Sequence, residues 1–383
     1  MPNPVTHLDP DQLDAFGDEL DDLRRRTVAD LGTRDRDYLE RVVRAQRGLE
    51  FAGRALMMAG FLPPAWVGGT TALALSKILD NMEIGHNVMH GQYDFLQDPA
   101  FDGNRFEWDT ACPGDSWRRT HNYEHHTFTN ILGKDRDIGY SLLRVTEDQP
   151  WKPADLGNPV YATLLAVFFQ YGVMLHELEA DRLMAGEKSW AETAELRGEM
   201  AEKVVGQTLK DYVLFPLLSG PSAPLTVAGN AVANLARNLW SFSIIFCGHF
   251  PDGTITFTEE EAAEESRGQW YLRQLLGSAN ISGGPLFHVM SGNLSHQIEH
   301  HLFPDVPAHR YPEMATEVRE ICERYELPYN TGGFAQQLGS VVRKIATLAL
   351  PWTGSGDDGG DPGQPQLAVV ASPDATARQP AAA

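Results

Sequence analysis

The chain has 383 residues, of which 42% are hydrophobic, and a formal net charge of −21. This acidity argues against a nucleic-acid partner, because a phosphate backbone binds a basic surface. The three cysteines stand far apart without a CxxC pair, which excludes an iron–sulfur cluster, a zinc ribbon and a disulfide framework.

Residues 1–50 are predicted to form an amphipathic, basic helical segment. The start has no basic stretch followed by an apolar core, so we expect no signal peptide. Apolar residues recur at helical spacing over residues 8–50. Residues 24–47 carry eight arginines against four acidic residues. This helix is therefore either solvated or interfacial, in contact with anionic lipid or an acidic partner.

Apolar stretches in residues 51–350 predict membrane helices. Residues 55–76 carry no charge, and Pro63-Pro64 in their middle favours a helical hairpin over a single crossing. Residues 159–176 and 225–247 are interpreted as two further crossings. The alternative is a hairpin of residues 211–220 and 226–247, with 159–176 lying in the interface. Residues 351–383 are rich in Gly, Pro, Ala and Asp and are predicted to be a disordered tail.

Histidines are concentrated in three short clusters next to these apolar stretches. On a helix, residues four apart share a face, so each cluster can direct two imidazoles to one point. An adjacent second histidine points roughly 100° further round, which suits a second metal ion. The clusters hold eight of the thirteen histidines: His86 and His90; His121, His125 and His126; and His296, His300 and His301.

So many imidazoles exceed what one metal needs. Neutral imidazole binds Zn, Cu, Fe and Ni, and a catalytic zinc takes only three protein ligands. The count therefore favours a dinuclear site. A histidine-rich transporter would place its ligands inside the spans, whereas these lie in polar segments after them. Among the other histidines, His176 and His288 are interpreted as core residues, and His7 and His309 as surface residues.

At these residues the sequence resembles the membrane fatty acid desaturases. That family carries three histidine motifs, H-x(3–4)-H, H-x(2–3)-H-H and H/Q-x(2–3)-H-H, and the three clusters match them in order. Gln297-Ile-Glu-His-His-Leu-Phe-Pro304 is similar to the third motif of front-end and sphingolipid desaturases. Gly85-His-Asn-Val-Met-His-Gly91 and Lys134-Asp-Arg-Asp-Ile-Gly139 are most similar to actinobacterial acyl-CoA and acyl-lipid desaturases.

The resemblance implies an all-α membrane protein with about four transmembrane helices and a cytosolic helical cap that holds two irons. It also implies a ninth imidazole at the end of the last span, where His249 stands. Three departures matter. Either His296 or Gln297 supplies the third-motif ligand, and helical spacing from His300 favours His296. Some relatives have an Asn where this chain has Ile245, and no haem motif is present.

The resemblance further implies O2-dependent introduction of a cis double bond into a long-chain acyl-CoA or acyl-lipid. The metal ligands are then the nine histidines, and no protein nucleophile is required. Because the chain carries no haem, cluster cysteines or dinucleotide motif, electrons must come from a ferredoxin or an NAD(P)H-dependent flavin/iron–sulfur reductase. The location implied is the bacterial cytoplasmic membrane, with the histidines facing the cytosol. The alternatives are a hydroxylase using the same site and a non-catalytic metal or lipid binder.

Overall fold

The N-terminal segment forms two long helices that meet at residues 30–32. The structure, a computed structural model, describes residues 7–351, so the tail predicted for 351–383 lies almost wholly outside the described residues. Helix α1 (Pro10–Ala29) buries Leu13, Phe16, Leu20 and Leu23 along one face, as an amphipathic helix should. Helix α2 (Thr33–Met58) runs through the boundary predicted at residue 50.

The rest of the described chain is also largely helical. The remaining helices, in order, are α3 (Pro63–Ile78), α4 (Asn87–Met89), α5 (Gly114–Trp117), α6 (His126–Phe128), α7 (Asn158–Val167), α8 (Phe169–Glu177), α9 (Ala180–Ala185), α10 (Ala194–Thr208), α11 (Phe215–Leu218), α12 (Ala223–His249), α13 (Arg267–Leu276), α14 (Pro285–Met290), α15 (Gln297–Leu302), α16 (Tyr311–Arg324) and α17 (Phe334–Leu348). Three segments are π-helical: Leu79–His86, Arg118–His125 and Leu209–Leu214.

Two short parallel strands, β1 (Asn280–Ser282) and β2 (Thr331–Gly333), pair in register from Asn280 with Thr331 to Ser282 with Gly333. The prediction of a purely helical chain misses this pair. Three residues are too few to show the alternation by which a strand is recognised in a sequence.

The hairpin predicted for residues 55–76 is present, although its turn falls at residues 59–62, just before Pro63 starts α3. Its two flanking charges, Arg54 and Lys77, are buried and share one carboxylate. An Arg54 guanidinium nitrogen lies 2.9 Å from Asp211 Oδ1, and Lys77 Nζ lies 2.7 Å from Asp211 Oδ2. The hairpin is thereby joined to the π-helical segment that precedes α11.

By length and composition, no single helix within residues 7–351 qualifies as a membrane span. One bent pair does so together: Pro153–Val167 and Phe169–Glu177 meet at 103°. The crossing predicted for 159–176 is thus broken at Phe168. The one predicted for 225–247 lies inside α12, which is 27 residues long but carries Arg237 and three asparagines that reduce its hydropathy.

The arginines of the first two helices find acidic partners within the chain itself. Nη2 of Arg34 lies 2.7 Å from Glu313, and Nε of Arg24 donates to Asp305 at 3.0 Å. Arg26 likewise pairs with Glu317 at 2.5 Å. These arginines therefore contact the segment leading into and along α16, and the choice between a solvated and an interfacial helix stays a prediction.

The contact between the first two helices and the segment leading into α16 is buried around Asp35. Arg310 donates to its two oxygens at 2.5 and 3.0 Å, and His309 Nε2 lies 2.8 Å away. His309 also stacks on the ring of Tyr38, with the centroids 4.2 Å apart. The prediction that His309 is a surface residue is therefore wrong, since a local pattern does not show that α2 covers it.

Replacing Asp35 with asparagine should destabilise the fold by about 2 kcal/mol at pH 7, because the buried Arg310 loses the carboxylate that accepts two of its hydrogen bonds and keeps only Asp30 and Glu313 as acidic partners. Burial alone would raise the pKa of Asp35, but the hydrogen bonds from Arg310 outweigh it and lower the pKa to about 2. This stabilisation is complete above about pH 4 and is lost as the pH falls towards 2. Thermal unfolding should therefore show a difference between wild type and variant that narrows in acid. The exposed Asp37→Asn is the matched control, and equal melting temperatures for Asp35→Asn and wild type would contradict the account.

Candidate metal centre

Two of the three histidine motifs lie on π-helical turns. His86 ends the segment Leu79–His86, and His121 and His125 lie in Arg118–His125. The spacing predicted an ordinary α-helix, but the i→i+5 hydrogen bonds of a π-helix widen each turn, and such turns are rare and frequent at functional sites. The rings of His86 and His90 still lie 4.6 Å apart, and those of His121 and His125 lie 5.1 Å apart.

Glycine permits the first of these turns to pack closely. A Cβ at position 85 would lie 2.8 Å from the Asp80 carbonyl oxygen and 3.2 Å from Cβ of Trp108. The distance to the backbone oxygen is shorter than Cβ contacts in proteins, so a larger residue before His86 would force the backbone to shift. The backbone that carries His86 is in this way fixed against the loop containing Trp108.

The three motifs and His249 come together as two adjoining groups of imidazoles. Within each group the candidate ligand atoms all lie within 4.8 Å of one another. The first group holds His86, His90, His121 and His300; the second holds His125, His249 and His301; and His126 lies with His300 and His301. Nε2 of His86 is 3.4 Å from Nε2 of His300, and Nε2 of His249 is 3.3 Å from Nε2 of His301.

The ring nitrogens fit metal coordination. Nε2 of His90, His121 and His125 is buried without a hydrogen-bond partner among the described residues, and so are both nitrogens of His126. Buried polar atoms are otherwise almost always hydrogen-bonded. Two groups of convergent imidazole nitrogens, several of them unpartnered, therefore have the donor set that a pair of transition-metal ions requires.

The protonation of the imidazoles suits the same role. Burial, and then repulsion between neighbouring rings, lowers the pKa of most of them well below 6.5, which keeps them neutral, as a ligand must be. These residues are His86, His90, His126, His249, His300 and His301. Burial also disfavours charge on His125, but Asp135 and Asp137 outweigh it and raise its pKa.

Carboxylates that the sequence analysis did not assign orient two of the rings. Asp135 accepts from Nδ1 of His125 at 3.0 Å, and Asp137 lies 3.2 Å from Nδ1 of His121. Such partners fix the tautomer of a metal-ligating histidine and make it more basic. Asp137 also lies with His121 and His125 in a third group of candidate ligands. The signal was the Asp-Arg-Asp run at 135–137, ten residues after His125.

Asp137 has a further partner in His176, whose Nε2 lies 3.0 Å from Oδ1. His176 is buried, as expected of a core residue. Its ring, however, helps to hold the carboxylate that orients His121. The predicted core role therefore understates its connection to the metal centre.

The third motif is carried by the short helix α15. Its ring partners come from α13 and α16: Nδ1 of His301 lies 3.1 Å from Gln274 Oε1, and Nδ1 of His300 lies 3.4 Å from the Tyr311 hydroxyl. The helix is buried on all sides. The positions of His300 and His301 are therefore set by long-range packing and not by the motif alone.

His296, favoured above as a ligand, lies outside these groups. It is the residue before α15, with ψ at 58°, so the helical face it was expected to share with His300 does not exist. Its ring packs instead against His288 at a tilt of 35°, with centroids 4.6 Å apart. Gln297 takes the place facing the centre, and its Nε2 lies 3.0 Å from Nε2 of His249.

A narrow cavity of about 60 Å³ leads from the imidazoles between the surrounding helices. At one end His86, His121, His125 and His249 line it, and Phe169, Val173 and Ile245 form apolar walls further in. An extended apolar molecule is the ligand that such walls accept. Ile245, the position where some desaturases have Asn, thus contributes to the cavity wall.

Comparison with known proteins agrees with this geometry. The family model for fatty acid desaturases matches residues 62–333. The chain belongs to the fatty acid desaturase family. It is thus an enzyme with a histidine-lined metal centre, and the resemblance to actinobacterial desaturases is confirmed by the relatives described next.

The desaturase is 47% identical to the NADPH-dependent stearoyl-CoA 9-desaturase of Mycobacterium tuberculosis, over 90% of this chain and 82% of that one. It is 24% identical to the sn-1 linoleoyl-lipid 6-desaturase of Synechocystis, over 72% of this chain and 77% of that one. Fatty acid desaturase 3 of Bos taurus is also 24% identical, over 78% and 66% of the two chains.

Proposed function

We propose that this enzyme introduces a cis double bond into long-chain acyl-CoA, using O2 and two irons held by the histidine groups. The observation that carries the proposal is the convergence of eight imidazoles from three motifs and His249 at the end of an apolar cavity. A bound iron pair supplies oxidation of an unactivated C–H bond with O2, which no side chain can perform. The protein's own part is to hold the alkyl chain beside the centre and to exclude water.

Iron is the metal proposed because the reaction is a redox reaction, and zinc has no redox chemistry. The eight imidazoles are His86, His90, His121, His125, His126, His249, His300 and His301. Imidazole is neutral and leaves the metal charge uncompensated. Asp135 and Asp137 offer nearby negative charge.

A membrane location is proposed for two reasons: the substrate is an apolar acyl chain, and the helices expose large apolar side chains. Large apolar side chains are exposed along the hairpin α2–α3, along α7–α8 and along α11–α12, including Phe51, Phe61, Val160, Phe168 and Leu217. Apolar surface of this extent is typical of contact with lipid or another protein. The proposal places the enzyme in the bacterial cytoplasmic membrane with the histidines on the cytosolic side.

The electron donor is proposed to be a separate protein, either a ferredoxin or an NADPH-dependent flavin/iron–sulfur reductase. The chain's cysteines, Cys112, Cys247 and Cys322, are all buried and free. The relative from Mycobacterium tuberculosis is named for its dependence on NADPH. Electrons from that source have to pass through a carrier before they reach an iron pair.

Acyl-CoA is favoured as the substrate by a group of cations next to the centre. Arg119, Arg136, Arg182 and Lys188 surround the carboxylate of Glu179 at 2.6 to 3.6 Å. Arg136 directly precedes Asp137, the carboxylate that orients His121. This cation group therefore lies close to the metal centre. Cations held in this way are suited to the phosphates of coenzyme A.

Replacing Arg119 and Arg182 with glutamine should raise KM for stearoyl-CoA about five- to tenfold and leave kcat unchanged, since two half-exposed charged contacts contribute about 0.5 to 0.7 kcal/mol each. Both side chains are about half exposed, and Glu179 keeps two other cations. With stearoyl-pantetheine, which has no nucleotide phosphates, the variant and the wild type should have the same KM. Arg25→Gln is the surface control, and an unchanged KM for stearoyl-CoA would exclude this site.

The function itself is tested by mass spectrometry of acyl products from the purified enzyme, supplied with stearoyl-CoA, NADPH, a ferredoxin and its reductase. A new alkene, located after derivatisation of the double bond, is the expected result. A hydroxy acid would show the related hydroxylase. Metal binding without consumption of O2 would contradict catalysis altogether.

A further inference from the structure

Arg237 is a buried cation that makes no direct ion pair, although Asp109, Asp211 and Asp80 act on it at longer range. It lies in the middle of α12 with 2% of its surface exposed. Nη1 donates to the Asp109 carbonyl at 3.3 Å and Nη2 to Asn238 Oδ1 at 3.2 Å, and no carboxylate within residues 7–351 lies within ion-pair distance of it. A charge that is buried without a direct counter-charge is costly, and such groups cluster at functional sites.

The two neighbouring buried cations differ from Arg237 because each makes a direct ion pair. Arg54 and Lys77 both pair with Asp211 and do not line the cavity. Arg237 does line it, together with Asn238 and Gln170. Oε1 of Gln170 is buried without a donor among the described residues. The cavity therefore ends in a guanidinium and an unpaired amide oxygen.

The distance along α12 places this polar end away from the metal centre. His249 and Arg237 are twelve residues apart on one helix, which is about 18 Å at 1.5 Å per residue. Between them the walls are formed by Phe169, Val173 and Ile245. An acyl chain whose reacting carbons lie at the histidines thus has its methyl end directed towards Arg237.

We propose that Arg237, with Gln170 and Asn238, limits the length of the acyl chain by polarity and not by size alone. This rests on the proposed function. A methyl group pressed against the guanidinium displaces water and returns no hydrogen bond, so an added methylene beyond that point is unfavourable. A terminal hydroxyl at the same place accepts from Arg237 and donates to Gln170. The site therefore discriminates on the chemical nature of the chain end.

The first test uses the wild-type enzyme and two acyl-CoA probes of equal length, two carbons longer than the longest methyl-ended chain it desaturates. One ends in a methyl group and the other in an ω-hydroxyl. The expected result is that the ω-hydroxy probe is desaturated, and raises the melting temperature on binding, while the methyl-ended probe does neither. Equal rejection of both probes would show a steric limit and overturn the proposal.

The second test is Arg237→Met, with Lys77→Met as the control that removes a buried cation that does not line the cavity. Competition between the longer methyl-ended acyl-CoA and stearoyl-CoA gives a product ratio that does not depend on the amount of folded enzyme. Arg237→Met should raise this ratio at least fivefold, and Lys77→Met should leave it unchanged. An unchanged ratio in Arg237→Met would overturn the proposal.

These results distinguish a failure of the proposed function from a failure of the role proposed for Arg237. Wild-type enzyme that converts no acyl-CoA would refute the proposed function. Wild-type enzyme that converts stearoyl-CoA but shows no effect of the chain end would refute only the role of Arg237. If Arg237→Met does not fold, the comparison of the two probes on the wild type decides.

Discussion

Replacing His300 with alanine is expected to abolish desaturation, with a loss of about 100-fold or more. His300 belongs to the group with His86, His90 and His121 and also to the group with His126 and His301. Its removal therefore takes a nitrogen from the group around His86 and from the triad with His126 and His301, and even partners that only orient a ligand contribute about 10- to 100-fold. The measurement is the rate of alkene formation from stearoyl-CoA at saturating donor.

The matched control is His288→Ala. His288 is half-buried and bonds to Ser295 at 2.7 Å, outside both groups. That variant should keep most of its activity. Retention of full activity in His300→Ala would show that the imidazole groups are not the catalytic centre.

The second large effect is expected at Gln297. Gln297→Ala should lower the rate about 10- to 100-fold, because it removes the amide that faces His249. His296→Ala should stay within about twofold of wild type, since its ring lies against His288. The measurement is the desaturation rate and the iron content of the two variants, and it decides which of the two side chains serves the metal centre.

Position 248 supports this assignment. A Cβ at Gly248 would lie 2.8 Å from the Gln297 side chain, so glycine is what allows Gln297 to approach His249. Gly248→Ala should therefore resemble Gln297→Ala. A severe defect in His296→Ala, with a mild one in Gln297→Ala, would restore His296 as the ligand.

The sequence predicted the imidazoles well because each motif is local. Residues within six positions of one another lie on the same or the next turn of a helix, and their spacing can be read directly from the sequence. The helical N-terminal segment and the hairpin after Arg54 were predicted for the same reason. The family was recognisable because the motifs follow one another in a fixed order.

What the sequence did not show depends on distant contacts and on unusual backbone. The π-helical turns at His86 and His125 have no pattern of their own, and the break before α15 separates His296 from His300. Asp137 and Tyr311 reach the rings only through packing. The asparagines and Arg237 that interrupt α12 are visible in the sequence, but their polar partners are not.

The central claim is that the two imidazole groups hold two irons in one chain. The most direct measurement is the metal content of purified full-length enzyme by mass spectrometry, compared with His300→Ala and His288→Ala. Two irons per chain in wild type and in His288→Ala, and a clear loss in His300→Ala, is the result expected. A single metal ion, or zinc in place of iron in active enzyme, would contradict it.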